Sequence, residues 1–181
     1  ASIDEAEAIA SRLRAAHPHA AHLCIGLRMF DGTERARDDG EPAGTAGRPI
    51  LRALQSADVC NCIIVVIRYF GGILLGAPGL ARAYGGVASQ TLTNAREQGL
   101  LTTVEPHDEH AFTLSYAAFQ HARGRLAHPD WDMHVEFSDL VLVRLQAPAT
   151  QRAQVESLLS HLRPEHQTLR MNATWRARRG Q

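Results

Sequence analysis

The segment 63–87, reading IIVVIRYFGGILLGAPGLARAYGGV, constrains this chain more than any other. Ile63, Ile64, Val65, Val66 and Ile67 are β-branched without a break, a run that suits a central strand covered on both faces. Gly71, Gly72, Gly76 and Gly79 crowd the turn that follows, as they do where a backbone takes positive φ or admits a close neighbour. Pro78 loses no hydrogen bond in a first helical turn, so the spacing predicts a helix from near Ala77. Leu80, Ala83, Tyr84, Val87 and Thr91 give it a buried face, with Arg82 and Ser89 outward. Gly85 and Gly86 inside this helix each cost roughly 0.5–1 kcal/mol relative to alanine, which implies close packing on a sheet.

The remaining elements follow from capping and periodicity. Ser2 with Glu5 forms a capping box, and Ile3, Ala6, Ile9, Ala10 and Leu13 continue an amphipathic helix that Pro18 stops. His22 to Phe30 alternates as a strand, and Asp31 and Gly32 turn the chain. The stretch from Gly44 to Leu54 reads as a loop entering a short helix, with Thr45 as N-cap and Ile50, Leu51 and Leu54 inward. Gly99 is a C-cap, and the polar segment Glu105 to Glu109, with Pro106, marks a domain boundary. Beyond it come strands over 111–116, 131–137, 141–146 and 168–175, with helices over 118–127 and 149–162. The fold class is therefore α/β (α+β) in two domains, residues 1–104 and 105–181, the second with the βαββαβ order of a ferredoxin-like domain.

Composition excludes several chemistries. The 181 residues carry a formal net charge of +0, so no overall field favours nucleic acid or a membrane surface. All 19 basic residues are arginine, which removes Schiff-base and P-loop lysine chemistry. No apolar run approaches the ~20 residues needed to span a bilayer, and no signal peptide is read at the start. With Cys24, Cys60 and Cys62 as free thiols, a reducing cytoplasm is expected. Cys60 and Cys62 are placed on one strand face as packing residues, and neither they nor His17, His19 and His22 reach a metal-ligand set. No GxSxG elbow, Ser-His-Asp set or GxGxxG turn appears, so no catalytic residue, metal or cofactor is assigned.

Two clusters carry the candidate chemistry. The loop 37–49, RDDGEPAGTAGRP, places Asp38, Asp39 and Glu41 among Gly40, Gly44 and Gly47. These carboxylates form a solvated turn, hold a hard cation, or pair with Arg48, Arg68 and Arg82. Arg68 stands on a strand before the glycine turn, where it either bridges to the acidic loop or contacts a phosphate or carboxylate. The candidate binding residues are Asp38, Asp39, Glu41, Thr45, Arg48, Arg68, Gly71, Gly72, Gly76, Gly79 and Arg82. Arg170, Arg176, Arg178 and Arg179 add local charge near the C-terminus that could hold RNA.

DDGEPAGTAGRPIL over 38–51 and RYFGGILLGAPGLARAYG over 68–85 resemble the IMPACT family. Further positions in the two motifs are Gly40, Pro42, Gly44, Gly47, Pro49, Tyr69, Phe70 and Tyr84. The chain departs from the family at Leu74, commonly lysine, and at Pro78, commonly glycine. Relatives usually begin with a strand before the first helix, so either the first sheet lacks a strand here or the sequence is shortened at its start. The resemblance implies an N-terminal domain of ribosomal-protein and GHMP-kinase type, followed by a ferredoxin-like domain resembling the last domain of elongation factor G. It implies a non-catalytic cytoplasmic protein near translation, with RNA or a ribosome-associated protein as partner, since eukaryotic relatives restrain a kinase of translation initiation. The alternatives are a phosphate- or nucleotide-binding enzyme built on the glycine turn and a pure protein–protein adaptor.

Overall fold

The computed structural model describes residues 2–72, 74–164 and 167–177, which form a mixed α/β protein with two sheets. The chain divides into two compact units, Ala1–Leu101 and Thr102–Gln181.

In the first unit the order is α1 (Ile3–Ala16), β1 (His22–Arg28), β2 (Glu34–Arg37), α2 (Gly47–Ser56), β3 (Cys62–Arg68) and α3 (Gly76–Glu97). Helix α1 opens on the expected capping box, with Glu5 N donating to Ser2 Oγ at 3.2 Å and Ser2 N to Glu5 Oε2 at 2.7 Å. The sheet runs β2-β1-β3, antiparallel throughout, with Cys24 opposite Val66 and Gly26 opposite Ile64. The β-branched run is therefore not the central strand: β1 is, and β3 lies at an edge. Covering explains the misreading, since α1 packs one face of β3 through Ile63, Val65 and Ile67 while Ile64 and Val66 meet α2 and α3. Two-faced burial makes a strand apolar whatever its lateral position. Strand β2, all four residues exposed, has no apolar pattern and was not expected.

Helix α2 lies directly on the sheet. A Cβ at Gly26 would stand 2.7 Å from Ile50 Cγ2, and one at Gly47 would stand 2.4 Å from Arg37 N. Helix α3 buries Leu80, Tyr84, Ala88 and Leu92, whereas Ala83, Val87 and Thr91 face outward. The buried positions recur every four residues over this stretch, so the face turns from Ala83, Val87 and Thr91 to Ala88 and Leu92. Gly85 meets Pro49 of α2 rather than a strand, and a Cβ on Gly86 would meet nothing within 4 Å.

The second unit runs β4 (Val104–Leu114), α4 (Tyr116–Leu126), β5 (Asp132–Phe137), β6 (Val141–Pro148), a 3-10 turn at Ala149–Gln151, α5 (Arg152–Leu162) and β7 (Gln167–Ala177), with strand order β5-β6-β4-β7. Its core joins Phe112, Leu114, Phe119, Leu126, Val141, Val143, Leu145, Val155 and Leu159. The polar segment Glu105 to Glu109 is not a linker but part of β4. Pro106 fits there because it faces Trp175 of β7 while the β6 pairing starts only at His107, so the missing N–H breaks no second ladder. The C-terminal arginines are partly spent: Arg170 reaches Glu109 at 3.7 Å, and Arg176 pairs with Asp132 and Gln146. Arg178 and Arg179 lie outside the described residues.

His110, fully buried on β4, has neither ring nitrogen hydrogen-bonded. Burial pushes its pKa down against the pull of Asp108 and Glu156, with Arg152 pushing the same way as burial. Below the ordinary value of about 6.5 the unfolded chain therefore binds a proton that the folded chain resists, so stability is lost as the pH is lowered. Both tryptophans, Trp131 and Trp175, belong to this unit and report on it. Their denaturant midpoint is expected to hold between pH 7 and 8 and to fall from about pH 6.5 to 5. His110→Leu should flatten that fall, and an equal fall in the variant would assign it to other groups.

Candidate functional site

The acidic loop follows β2 directly, and each of its carboxylates has a separate structural task. Asp38 accepts from Gly44 N at 2.8 Å through one oxygen, and from Ala46 N at 3.0 Å and Gly47 N at 2.8 Å through the other. It is thus the cap of α2, whose boundary residue Ala46 has no side-chain cap of its own. Thr45 was expected in that role. Its hydroxyl instead donates to Pro42 O at 2.7 Å and closes the loop on itself. Burial would raise the Asp38 pKa, but the N–H groups of Gly44, Gly47 and Ala46 and the charge of Arg48 outweigh it and hold the carboxyl below its usual range.

Asp39 turns the other way, at φ 47°, and accepts from Leu23 N at 2.6 Å and from the Arg14 guanidinium of α1. Its main-chain oxygen meets His22 Nδ1 at 2.7 Å. Gly40 follows at φ 86°, a conformation that suits glycine and lets the chain reverse between the two acidic residues and Glu41.

Glu41 is buried, and its Oε1 takes three approaches. Arg68 donates to it from the end of β3, Tyr84 Oη donates from α3 at 2.8 Å, and His22 Nε2 stands 3.9 Å away. Burial again opposes ionisation, and the Arg68 and Tyr84 bonds with the His22 and Arg68 charges overcome it, so the carboxyl titrates low. Tyr84 is pushed far above its ordinary range by burial first, then by Cys24 and Glu41. Cys24 donates to Asp38 O at 3.0 Å, and burial lifts its thiol to about 11. Arg68 also lies over the Phe70 ring, with Cζ 5.6 Å from the centroid.

Of the two readings left open for Arg68, the internal ion pair is the one present. Arg48 and Arg82, by contrast, are exposed and make no hydrogen bond or ion pair among the described residues. Arg48 lies along Gly44, and Arg82 occupies the outer side of α3. In the glycine turn, Gly72 (φ 83°) and Gly76 (φ 65°) take left-handed backbone, whereas a Cβ at Gly71 would meet nothing within 4 Å and one at Gly79 would touch Leu75 Cβ at 3.0 Å. Helix α3 begins at Gly76 without a side-chain cap or an acidic residue in its first turn. Tyr69, Phe70, Leu74 and Leu75 are exposed along the turn, and Tyr69 Oη bonds His17 Nδ1 at 2.7 Å. Arg14, His22 and Cys24 were missed as members of the cluster. The only signal for Arg14 was its place in the last turn of an amphipathic helix.

Residues 1–92 match the family model described as the Impact N-terminal domain. The chain is 34% identical over 165 residues to IMPACT family member YigZ of Escherichia coli (strain K12), covering 87% of this chain and 78% of that protein. An IMPACT family member in the pol 5′ region of Thermus thermophilus is 45% identical over 101 residues, covering 56% of this chain and 55% of that protein. A solved structure described as a crystal structure of a hypothetical protein has 32% identity and a TM-score of 0.59, covering 93% of this chain and 82% of that one.

Glu41→Gln would leave the Arg68 charge half-buried without its counter-ion. Its cost to the first unit is expected at about 3 kcal/mol, the low end for a broken buried pair because Arg68 is partly exposed. Tyr84→Phe should cost about 1.5–3 kcal/mol, a hydrogen bond to a charged group, and Arg48→Ala about 0.5 kcal/mol or less. Amide exchange in β1 and β3 under native conditions measures all three. Equal protection in the Glu41 and Arg48 variants would remove the network from the stability of the unit.

Proposed function

The chain belongs to the IMPACT family, and from that premise we propose that it is a non-catalytic binding protein of the cytoplasm, working beside translation and taking up RNA or a ribosome-associated protein. One observation carries the reading. Asp38, Asp39 and Glu41 are all occupied within the unit, while Arg48, Arg82, Tyr69, Phe70 and Leu74 remain at the surface around the same loop and turn. Exposed guanidinium groups and exposed aromatic rings on one unit suit an anionic partner with stacking faces.

On this reading the first unit is a domain of ribosomal-protein and GHMP-kinase type, and the second is ferredoxin-like, resembling the last domain of elongation factor G. The β-α-β-β-α-β order with strands arranged β5-β6-β4-β7 supports the second assignment. Among the described residues no helix is long and apolar enough to cross a membrane. A phosphate-binding enzyme is the weaker alternative, because Arg68, its best placed donor, is already held by Glu41. A pure protein adaptor is favoured by one observation, the almost complete exposure of Leu74 at 89%.

Pull-down from lysate with and without nuclease separates these partners. If RNA is bound, log affinity for a single strand falls linearly with log salt at about −0.7 per phosphate contact, and substituting Arg48 and Arg82 together by alanine lowers the slope by about 1.4. Binding that ignores salt, or that is absent at about 50 mM salt, removes RNA and leaves the adaptor ahead.

A further inference from the structure

Cys60 and Cys62 were expected to share one face of a strand, but the strand begins only at Cys62. Between them Asn61 takes φ 53°, and Asp58 three residues earlier takes φ 49°. Both are left-handed conformations in residues other than glycine, which cost free energy that the surrounding structure must hold. A left-handed residue curls the chain, so the Cα atoms on either side stand closer than the two ends of an extended tripeptide. Shortening that span favours a bridge, since a disulfide needs Cα atoms within about 4.4–6.8 Å of one another. Both thiols are free and partly exposed, whereas Cys24 is buried in the acidic-loop cluster.

The surroundings distinguish the two sulfurs. Burial, with the charge of Asp58, holds the Cys60 thiol above its ordinary range, and the Arg28 guanidinium, which donates to Asp58 Oδ1 at 3.0 Å and to the Val59 carbonyl at 3.5 Å, offsets part of that rise. Cys62 packs on the core beneath α2 and α3 and is more deeply covered, and a charge on Cys60 raises it further.

From this geometry we infer that Cys60 and Cys62 are a reversible redox pair, closing a disulfide across Asn61 when the protein meets a peroxide. The Cys60 thiolate attacks one oxygen of hydrogen peroxide, the O–O bond breaks, and a sulfenic acid and hydroxide form. The Cys62 thiolate then attacks the sulfenic sulfur, the S–S bond forms, the S–O bond breaks, and the oxygen leaves as water after protonation. Two thiols lose two electrons in all, and the peroxide is reduced to two waters. The bridge fastens the entry to β3, and a dithiol reductant reopens it.

Peptide chemistry makes the test direct, because trypsin releases residues 15–28 with Cys24 and residues 53–68 with both other cysteines. The reduced full-length chain is treated with hydrogen peroxide, alkylated under denaturing conditions, digested and weighed. The expected product is the 53–68 peptide lacking both alkyl groups and lighter than its dithiol form by two hydrogens, with Cys24 still alkylated. Its rate of formation should rise about tenfold per pH unit below the thiol pKa. Cys60→Ser, at a partly exposed position, should abolish the bridge, Cys24→Ser should leave it, and dithiothreitol should restore two alkylated thiols. Recovery of 53–68 with both cysteines alkylated, a sulfinic or sulfonic acid at one of them, or a cross-link between chains would each overturn the pair.

Discussion

The Glu41 carboxylate is the point on which the first unit depends. It belongs to a loop, yet it receives Arg68 from the end of β3 and Tyr84 from the middle of α3, so one buried charge fixes three segments distant in sequence. Removing such a charge from water costs several kcal/mol, and only a close counter-ion with further hydrogen bonds offsets it. The glycine turn between β3 and α3 is therefore held at both ends by the same oxygen. Its own residues can remain exposed and unpacked, since neither Gly71 nor Gly72 gives a neighbour anything to rest on.

Asp38 performs a matching task one turn of chain away. Helix α2 is only ten residues long and starts at a position without a capping side chain, so its first N–H groups need an outside acceptor. A carboxylate from the preceding loop supplies it and also favours the positive end of the helix dipole. Gly47 permits this, because any side chain there would strike the backbone of β2. The run of carboxylates and glycines is thus a folding device: the acids replace a missing cap and a missing core contact, and the glycines let them reach.

Much of this was legible in the sequence. The capping box of α1, the glycine turn, the long helix and the strand–helix order of the second half are local patterns, and local patterns are what periodicity and caps encode. The lateral order of strands is not local. The Ile63 to Ile67 run records that both faces are covered, which α1 on one side and α2 with α3 on the other account for, and it records nothing about which edge is paired. Likewise Asp38, Asp39 and Glu41 announce a site of some kind, but three acids within four residues reaching separate sets of partners is a property of the backbone turn at Asp39 and Gly40. Arg14 and His22 come to the loop from other elements, and no spacing in the sequence ties them to it.

The direction of the pKa shifts bears on what the cluster can do. General acid–base catalysis needs a group poised near the working pH. Here Asp38 and Glu41 are driven below the ordinary carboxylate range, and Cys24 and Tyr84 above theirs. Every resolved shift in the cluster thus moves away from neutrality. That is the pattern of charges fixed to hold a fold, whereas a catalytic pair has its values drawn toward one another. The groups exposed at the rim are the Arg48 and Arg82 guanidinium groups and the Tyr69, Phe70 and Leu74 side chains. Recognition by fixed charge and apolar surface is the work that the reading proposed above assigns to that face.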